Sequence, residues 1–213
     1  MIKISFIIPT IPKRTLYLRR LLTTIDNIGW PGNEFEKELI IVDEGKSAGA
    51  QRNIGLKRCT GDYLYFVDDD DLILRNFMCG RMQTFMRNNE RGIFFVSERW
   101  IQPNETDLKD LRNEHISWAV GRRYKTYKEL FRSISNTFNP YNVGCYVFRA
   151  DLKHIQWPEA YEFGEDIGYN RLACNEISKT NSNIAFIDEC KHIVVRHDKT
   201  TTWQNRDMRW HQK

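Results

Sequence analysis

Three short apolar runs, each followed by a polar loop, restrict the fold of this chain more than any other feature. They cover residues 3–9, 39–42 and 63–67, and their nearly continuous apolar character is typical of strands covered on both faces. Residues 50–58 predict a helix before the third run. An earlier helix is indicated by an apolar stripe at Leu18, Leu21, Leu22 and Ile25. This strand–helix alternation predicts an α/β fold with a mostly parallel central sheet flanked by helices.

The three runs end in loops that a parallel sheet would bring together. Ligands of such sheets bind beyond the carboxyl ends of the strands, so the loops after Pro9, Val42 and Val67 predict a site. The second half is less regular. Its patterns predict strands over 93–97, 143–148, 184–187 and 193–195 and helices over 127–134 and 165–177.

Four consecutive aspartates follow the third run. Two carboxylates about 4 Å apart repel by roughly 4 kcal/mol at an effective dielectric of about 20, so solvent or a cation must offset the charge. If the backbone stays extended, Asp68 and Asp70 point to one side and Asp69 and Asp71 to the other. One side would then offer two carboxylates to Mn²⁺ or Mg²⁺. The alternative is a solvated turn in which Asp71 caps a following helix.

The segments IIPT, IIVDEG, AQRNIGL and GDYLYFVDDDD together resemble the glycosyltransferase family 2 pattern on a GT-A fold. The resemblance implies a Rossmann-like nucleotide-diphospho-sugar transferase. Such an enzyme moves a sugar from a nucleotide-sugar, here expected to be a UDP-sugar, to an acceptor hydroxyl with the help of Mn²⁺ or Mg²⁺. The expected organisation is a single domain over 1–213, with a donor and metal half at 1–97 and an acceptor half at 98–197.

The same resemblance implies roles for side chains near the aspartate run, which serves as the DXD motif. Asp70 is expected to ligate the metal with Asp68 beside it. Thr10 and Asp43 are expected to line the base and ribose. The full set of expected nucleotide-sugar contacts in this half is Thr10, Asp43, Arg52, Asn53, Asp68 and Asp69.

An acidic pair, Glu165 and Asp166, opens the predicted helix after Gly164. Acidic residues in a first helical turn are stabilised by the helix dipole, so end stabilisation alone accounts for the pair. The resemblance implies more. Asp166 would take the proton of the acceptor hydroxyl, Glu165 would hold the acceptor or orient Asp166, and the reaction would invert the anomeric centre.

His197 follows the last predicted strand, where many GT-A enzymes place an additional metal ligand. A lone histidine is more often structural, and this alternative stays open. Lys199 is expected to meet the diphosphate. Residues 198–213 are polar and basic and predict a flexible tail.

Charge and hydropathy exclude little about partners. The net charge of +4 suits an anionic donor, a membrane surface or nucleic acid and selects none of them. No apolar run is long enough to span a bilayer, so we expect no transmembrane association and a cytoplasmic location. Five scattered cysteines without a CxxC pair indicate no zinc cage and no disulfide framework.

The acceptor and the reaction class have alternatives. A glycan or lipid-linked sugar is the expected acceptor. Hydroxymethylated bases in DNA, the substrates of phage enzymes, are the alternative, favoured by basic residues over 112–128 with interleaved Trp118, Tyr124 and Tyr127. A nucleotidyltransferase would carry a glycine-rich loop after the first strand, and residues 10–14 contain no glycine. A non-catalytic nucleotide-sugar binder would not need the full set of acidic residues together with His197.

Overall fold

A computed structural model describes residues 1–101, 143–159, 165–180 and 184–196. Seven strands and four helices lie in these ranges. The strands are β1 (Ile2–Pro9), β2 (Phe35–Val42), β3 (Tyr63–Phe66), β4 (Leu72–Ile73), β5 (Gly92–Ile101), β6 (Tyr146–Arg149) and β7 (Ile184–Arg196). The helices are α1 (Thr15–Asp26), α2 (Ala48–Arg58), α3 (Gly80–Arg87) and α4 (Glu165–Ser178).

One sheet contains all seven strands, in the order β2-β1-β3-β6-β5-β7-β4. Five strands run in one direction, whereas β6 and β4 run against them. The predicted α/β architecture is therefore confirmed, with a mixed sheet in which three strand pairings are parallel and three are antiparallel. The sheet continues through both predicted halves of the chain, and the division between 97 and 98 stays a prediction.

The sheet is covered on both faces, as the continuous apolar runs require. Leu21 of α1 and Met82 of α3 pack on one face, and Leu56 of α2 and Ile177 of α4 pack on the other. At Gly55 a Cβ atom would lie 2.4 Å from Ile7 Cγ2, so only glycine lets α2 approach β1 this closely. Buried strands between two helical layers explain why sequence patterning identified this half of the fold.

Several element boundaries differ from the predictions for identifiable reasons. β2 begins at Phe35 rather than at 39, because it is an edge strand and tolerates the charged residues at 36–38. Predicted strands 184–187 and 193–195 are one strand, β7, whose polar middle interrupts the apolar pattern and coincides with shifted pairing to β5. Predicted strand 143–148 starts as a 3₁₀ turn before β6. The predicted helix over 127–134 lies outside the described residues.

The carboxyl ends of β1, β2 and β3 lie side by side, as predicted. β1 pairs in parallel with both neighbours, and the Thr10 amide donates to the Val42 carbonyl at 2.9 Å. The aspartate run leaves β3 at the same edge. No helix among the described residues has the length and apolar character needed to cross a bilayer.

Candidate active site at the carboxyl edge of the sheet

The aspartate run folds into a turn, so the alternation expected for an extended backbone is wrong. The Asp71 amide donates to the Asp68 carbonyl at 3.1 Å and closes the turn. The alternative is right about the turn and wrong about its solvation, because Asp69, Asp70 and Asp71 are buried. Asp71 leads into β4 rather than capping a helix. The turn directs the four carboxylates to different partners, and protein cations, rather than solvent, offset most of their repulsion.

Asp69 and Asp70 share one arginine that the sequence analysis did not identify. Arg14 lies 2.8 Å from Asp69 Oδ1 through Nη1 and contacts Asp70 Oδ2 through Nη2. Thr10 Oγ1 donates to Asp69 Oδ2 at 2.6 Å. Burial raises the pKa of Asp69 to about 6, although the Thr10 hydrogen bond and the Arg14 charge oppose the rise. Thr10 and Asp69, both predicted donor contacts, are therefore held together beside the turn.

Asp68 is joined to the predicted catalytic pair through Arg52. Arg52 Nη2 donates to Asp68 Oδ1 at 2.5 Å, and Nη1 donates to Glu165 Oε1 at 3.0 Å. The Arg52 side chain is only 2% exposed, whereas that of Asp68 is 40% exposed. A buried guanidinium with two carboxylate partners is well compensated. The structure thus brings together residues predicted for the donor and for the acceptor.

An aromatic stack holds Arg52 in this position. The guanidinium lies 4.4 Å from the centroid of the Trp157 ring, and Trp157 stacks on Tyr169 with centroids 4.2 Å apart and an interplanar angle of 3°. A cation over an indole face is favourable when desolvated. Trp157 was missed by the sequence analysis, and its only local signal is a large aromatic next to Pro158 in a short irregular segment.

Asn53 connects α2 by hydrogen bonds to the segment that contains Trp157. Its Oδ1 accepts from the Trp157 amide at 2.7 Å, and its Nδ2 donates to the Trp157 carbonyl and to Glu159 Oε1. The amide is thereby engaged with protein groups. This contact supports the position of Arg52 one residue earlier, and the predicted contact of Asn53 with the nucleotide stays a prediction.

Asp166, the predicted base, lies at the start of α4 beside Glu165. Its Oδ1 accepts from the Ile167 amide at 2.8 Å. Burial, and secondarily the charge of Glu165, raises the pKa of Asp166 to about 6. Glu165 is paired with Arg52, whereas no ion pair to Asp166 occurs among the described residues. Glu165 is therefore the carboxylate held by a cation, and Asp166 is the carboxylate with the raised pKa.

Asp43 borders a shallow pocket of about 140 Å³ next to the turn. Its walls come from the ends of β1 and β2 and from the start of α1: Thr10, Ile11, Pro12, Thr15, Leu18, Ile41 and Asp43. Apolar side chains with a few polar groups are the usual lining of a small-molecule site. Thr10 and Asp43, predicted to contact base and ribose, meet at this pocket.

Asp68 and Asp70 are suited to a divalent ion that arrives with the nucleotide. Among the described residues, no group of three or more His, Cys, Asp or Glu side chains forms a metal cage. Both aspartates nevertheless offer hard carboxylate oxygens from one turn. Mg²⁺ is commonly held by one or two carboxylates, with substrate phosphates and water completing its coordination. The predicted ligand His197 and the predicted diphosphate contact Lys199 lie outside the described residues.

Asp71 has a structural role, and its replacement tests this assignment. The carboxylate accepts from the Val195 amide at 3.2 Å and lies 3.0 Å from His192 Nε2, both in β7. Asp71→Ala is expected to lower the free energy of unfolding by about 3 kcal/mol, because two buried groups lose this carboxylate. Urea unfolding monitors the change, with the exposed Asp26→Ala as control. Wild-type stability of Asp71→Ala would contradict the assignment.

Known proteins are similar to this chain in sequence family and in fold. Residues 44–152, slightly more than half of the chain, match the family described as glycosyl transferase family 2. No curated protein sequence matches the chain. The crystal structure of S. aureus TarS 1–349 is similar, with a TM-score of 0.60 and 16% identity over 91% of this chain and 60% of that one.

Two further solved structures carry nucleotides. TarS 1–349 in complex with UDP-GlcNAc has a TM-score of 0.61 and 15% identity over 93% of this chain and 60% of that one. Mannosyltransferase PcManGT from Pyrobaculum calidifontis, in complex with GDP-Man and Mn²⁺, has a TM-score of 0.58 and 13% identity, covering 96% and 60%. The chain spans about 60% of the length of these solved chains. The likeness confirms the predicted GT-A fold.

Proposed function

Because the chain belongs to glycosyl transferase family 2, we propose that it moves a sugar from a nucleoside diphosphate sugar onto an acceptor hydroxyl. The observation that carries this proposal is the Arg52 bridge, which joins Asp68 on the donor side to Glu165 beside Asp166. Groups that bind the donor and the group that takes the acceptor proton act around one anomeric carbon. Their closeness through a single guanidinium supports a shared reaction centre.

The proposed donor is a UDP-sugar. The shallow pocket between Thr10 and Asp43 would receive the base and ribose, which directs the diphosphate toward the aspartate turn. The complex of TarS with UDP-GlcNAc supports a uridine nucleotide. PcManGT is complexed with GDP-Man, so a guanosine nucleotide is the comparison that an assay must include.

The proposed metal is Mn²⁺ or Mg²⁺, held by Asp70 and Asp68 with His197 as the predicted third ligand. A divalent ion at this position supplies positive charge to the diphosphate leaving group. The Mn²⁺ in the PcManGT complex supports the choice. Asp69 and Lys199 are assigned to the ribose and diphosphate.

In the proposed reaction, the chain's own carboxylates handle the proton. Asp166 accepts the proton of the acceptor hydroxyl while that oxygen bonds to the anomeric carbon and the bond to the diphosphate breaks. Arg52 holds Glu165, which in turn positions the acceptor or Asp166. Displacement from the face opposite the leaving group inverts the anomeric centre, and NMR of the product measures this outcome.

A glycan or lipid-linked sugar is the proposed acceptor. Residues 112–128, which favour DNA in the sequence, lie outside the described residues, and no described contact favours the nucleic acid. Parallel assays with oligosaccharide, lipid-linked sugar and hydroxymethylated DNA separate these acceptors. A cytoplasmic location stays a prediction from the sequence.

The assay that tests the proposed function measures nucleotide release from UDP-sugars and GDP-mannose in the presence of Mn²⁺. We expect release with a UDP-sugar, and a drop of at least about 10²-fold in EDTA that added Mn²⁺ restores. Full activity in chelator would contradict the metal assignment. Absence of release from every donor and acceptor tested would contradict the transferase function.

A further inference from the structure

Arg14 lies where a cation is needed beside the aspartate turn. It belongs to a 3₁₀ turn, Pro12–Arg14, that begins three residues after the end of β1 at Pro9. One guanidinium contacts both Asp69, which is fully buried, and Asp70, whose side chain is 10% exposed. Two adjacent carboxylates with so little solvent require a positive charge between them. In the described structure, Arg14 supplies that charge.

The Asp70 contact of Arg14 uses the carboxylate that the proposed function assigns to the metal. A divalent ion that binds Asp70 competes with the guanidinium for the same oxygens, since both need the negative charge and the lone pairs. Metal binding at Asp70 would break the Arg14–Asp70 ion pair and lose its stabilising energy. Arg14 therefore opposes metal binding in the absence of nucleotide.

Neighbouring contacts allow the Arg14 side chain to move while the turn keeps its shape. The Arg14 side chain is 30% exposed and is carried by an exposed loop. Arg20 holds the turn independently, because its Nη2 donates to the Asp70 carbonyl oxygen at 3.0 Å. Both guanidiniums lie 5.6 Å from the centroid of the Tyr17 ring. Displacement of Arg14 thus breaks side-chain contacts and leaves the backbone contact of Asp70 in place.

Once displaced from Asp70, Arg14 would lie near the diphosphate of a nucleotide bound in the neighbouring pocket. Pro12, the first residue of its turn, and Thr15, the residue after the turn, line the pocket that also contains Asp43. A nucleotide whose base occupies this pocket carries its diphosphate along the edge between the pocket and the aspartate turn. Guanidinium groups bind phosphates with charge-assisted hydrogen bonds.

We propose that Arg14 is a resident counterion that competes with the divalent ion for Asp70 and, once displaced, pairs with the diphosphate of the donor. The inference rests on the proposed function. It assigns to Arg14 two opposed effects, one against the metal alone and one in favour of the metal with the nucleotide. Metal and donor would consequently bind with positive cooperativity.

The test measures Mn²⁺ binding directly by electron paramagnetic resonance of the whole chain without nucleotide. Arg14→Gln is expected to tighten Mn²⁺ binding by about tenfold, because the competing charge is removed. Lys13→Gln is the matched control: it removes the same charge from the adjacent exposed residue and should change the affinity by less than about twofold. A general electrostatic effect would act on both variants alike.

The second measurement is UDP affinity in saturating Mn²⁺, by calorimetry. Arg14→Gln should weaken UDP binding by about tenfold, whereas Lys13→Gln should not. Weaker or unchanged Mn²⁺ binding in Arg14→Gln, an equal effect in both variants, or unchanged UDP affinity would overturn the inference. A merely structural role of Arg14 predicts weaker binding of both ligands. If the wild type transferred no sugar but Arg14→Gln changed Mn²⁺ and UDP binding as expected, the proposed function would be overturned and this inference would not.

Discussion

Replacement of Asp70 by asparagine is expected to lower metal-dependent sugar transfer by about 10³-fold. Asparagine keeps the volume of the buried side chain but removes the negative charge that a hard divalent ion requires. The loss should appear in kcat/KM, and Mn²⁺ binding measured without nucleotide should fall with it. Because Arg14 retains Asp69 as a partner, the turn should keep its shape.

The control for Asp70→Asn is Asp26→Asn, at the end of α1, where the carboxylate is paired with Lys37 on the surface. This variant should transfer sugar at the wild-type rate. Thermal unfolding of both variants separates loss of the ligand from loss of the fold. Near-normal transfer by Asp70→Asn in Mn²⁺ would show that Asp70 does not ligate the metal.

Asp166→Asn is expected to lower kcat by about 10³-fold while donor affinity stays within about twofold of the wild type. The amide has the shape of the carboxylate but cannot take the acceptor proton. Glu165→Gln is the comparison: it alters the residue paired with Arg52, should cost less, and should keep an acid limb in the pH profile, displaced to lower pH because the Glu165 charge no longer raises the pKa of Asp166. Equal losses in the two variants would contradict the division of roles.

The pH profile gives a second measure of Asp166. Since burial raises the pKa of Asp166 to about 6, its carboxylate form is lost as the pH falls below this value. The kcat/KM of the wild type should therefore fall below about pH 6, and the residual activity of Asp166→Asn should lack this limb. A wild-type profile that is flat down to pH 4.5 would exclude this carboxyl as the base.

The same raised pKa has a defined effect on stability. The unfolded carboxyl loses its proton near its ordinary pKa of 3.8, whereas burial in the folded state raises this pKa to about 6. The unfolded state binds fewer protons in that interval, so this group makes the fold less stable as pH rises from about 4 to 6. Asp166→Asn should accordingly be at least as stable as the wild type at neutral pH. A buried carboxylate that lowers the stability of the fold at neutral pH is more readily explained by a role in the reaction than by a role in packing.

The parts of the site that the sequence predicted are those encoded by local patterns. Continuous apolar runs identified β1, β2 and β3, and the rule for carboxyl ends placed Thr10, Asp43 and the aspartates together. The helix that begins with Glu165 and Asp166 was predicted from its sequence pattern and its position after Gly164. Each of these inferences needs only neighbouring residues and the rule that ligands of parallel sheets bind beyond the carboxyl ends of the strands.

The parts that the sequence did not predict depend on contacts between distant segments. The Arg52–Glu165 contact and the Trp157 stack join elements with no local sign of each other. Arg14 was considered only as part of a loop without glycine. The sequence left the aspartate run open between an extended backbone and a solvated turn, because its charges were considered without the arginines that reach them. Long-range ion pairs follow from the assembled sheet, and pattern analysis has no access to them.

The two contacts of Arg52 also indicate which part of the site forms first during folding. Its two carboxylate contacts differ in sequence separation: Asp68 is 16 positions away, whereas Glu165 is 113 positions away. Contacts that close long loops carry a larger entropic cost and tend to form after local ones. A chain with only β1, α2 and β3 in place would hold its aspartates and arginine without the carboxylate that takes the proton. Such a partly folded chain could bind a donor nucleotide but could not activate an acceptor.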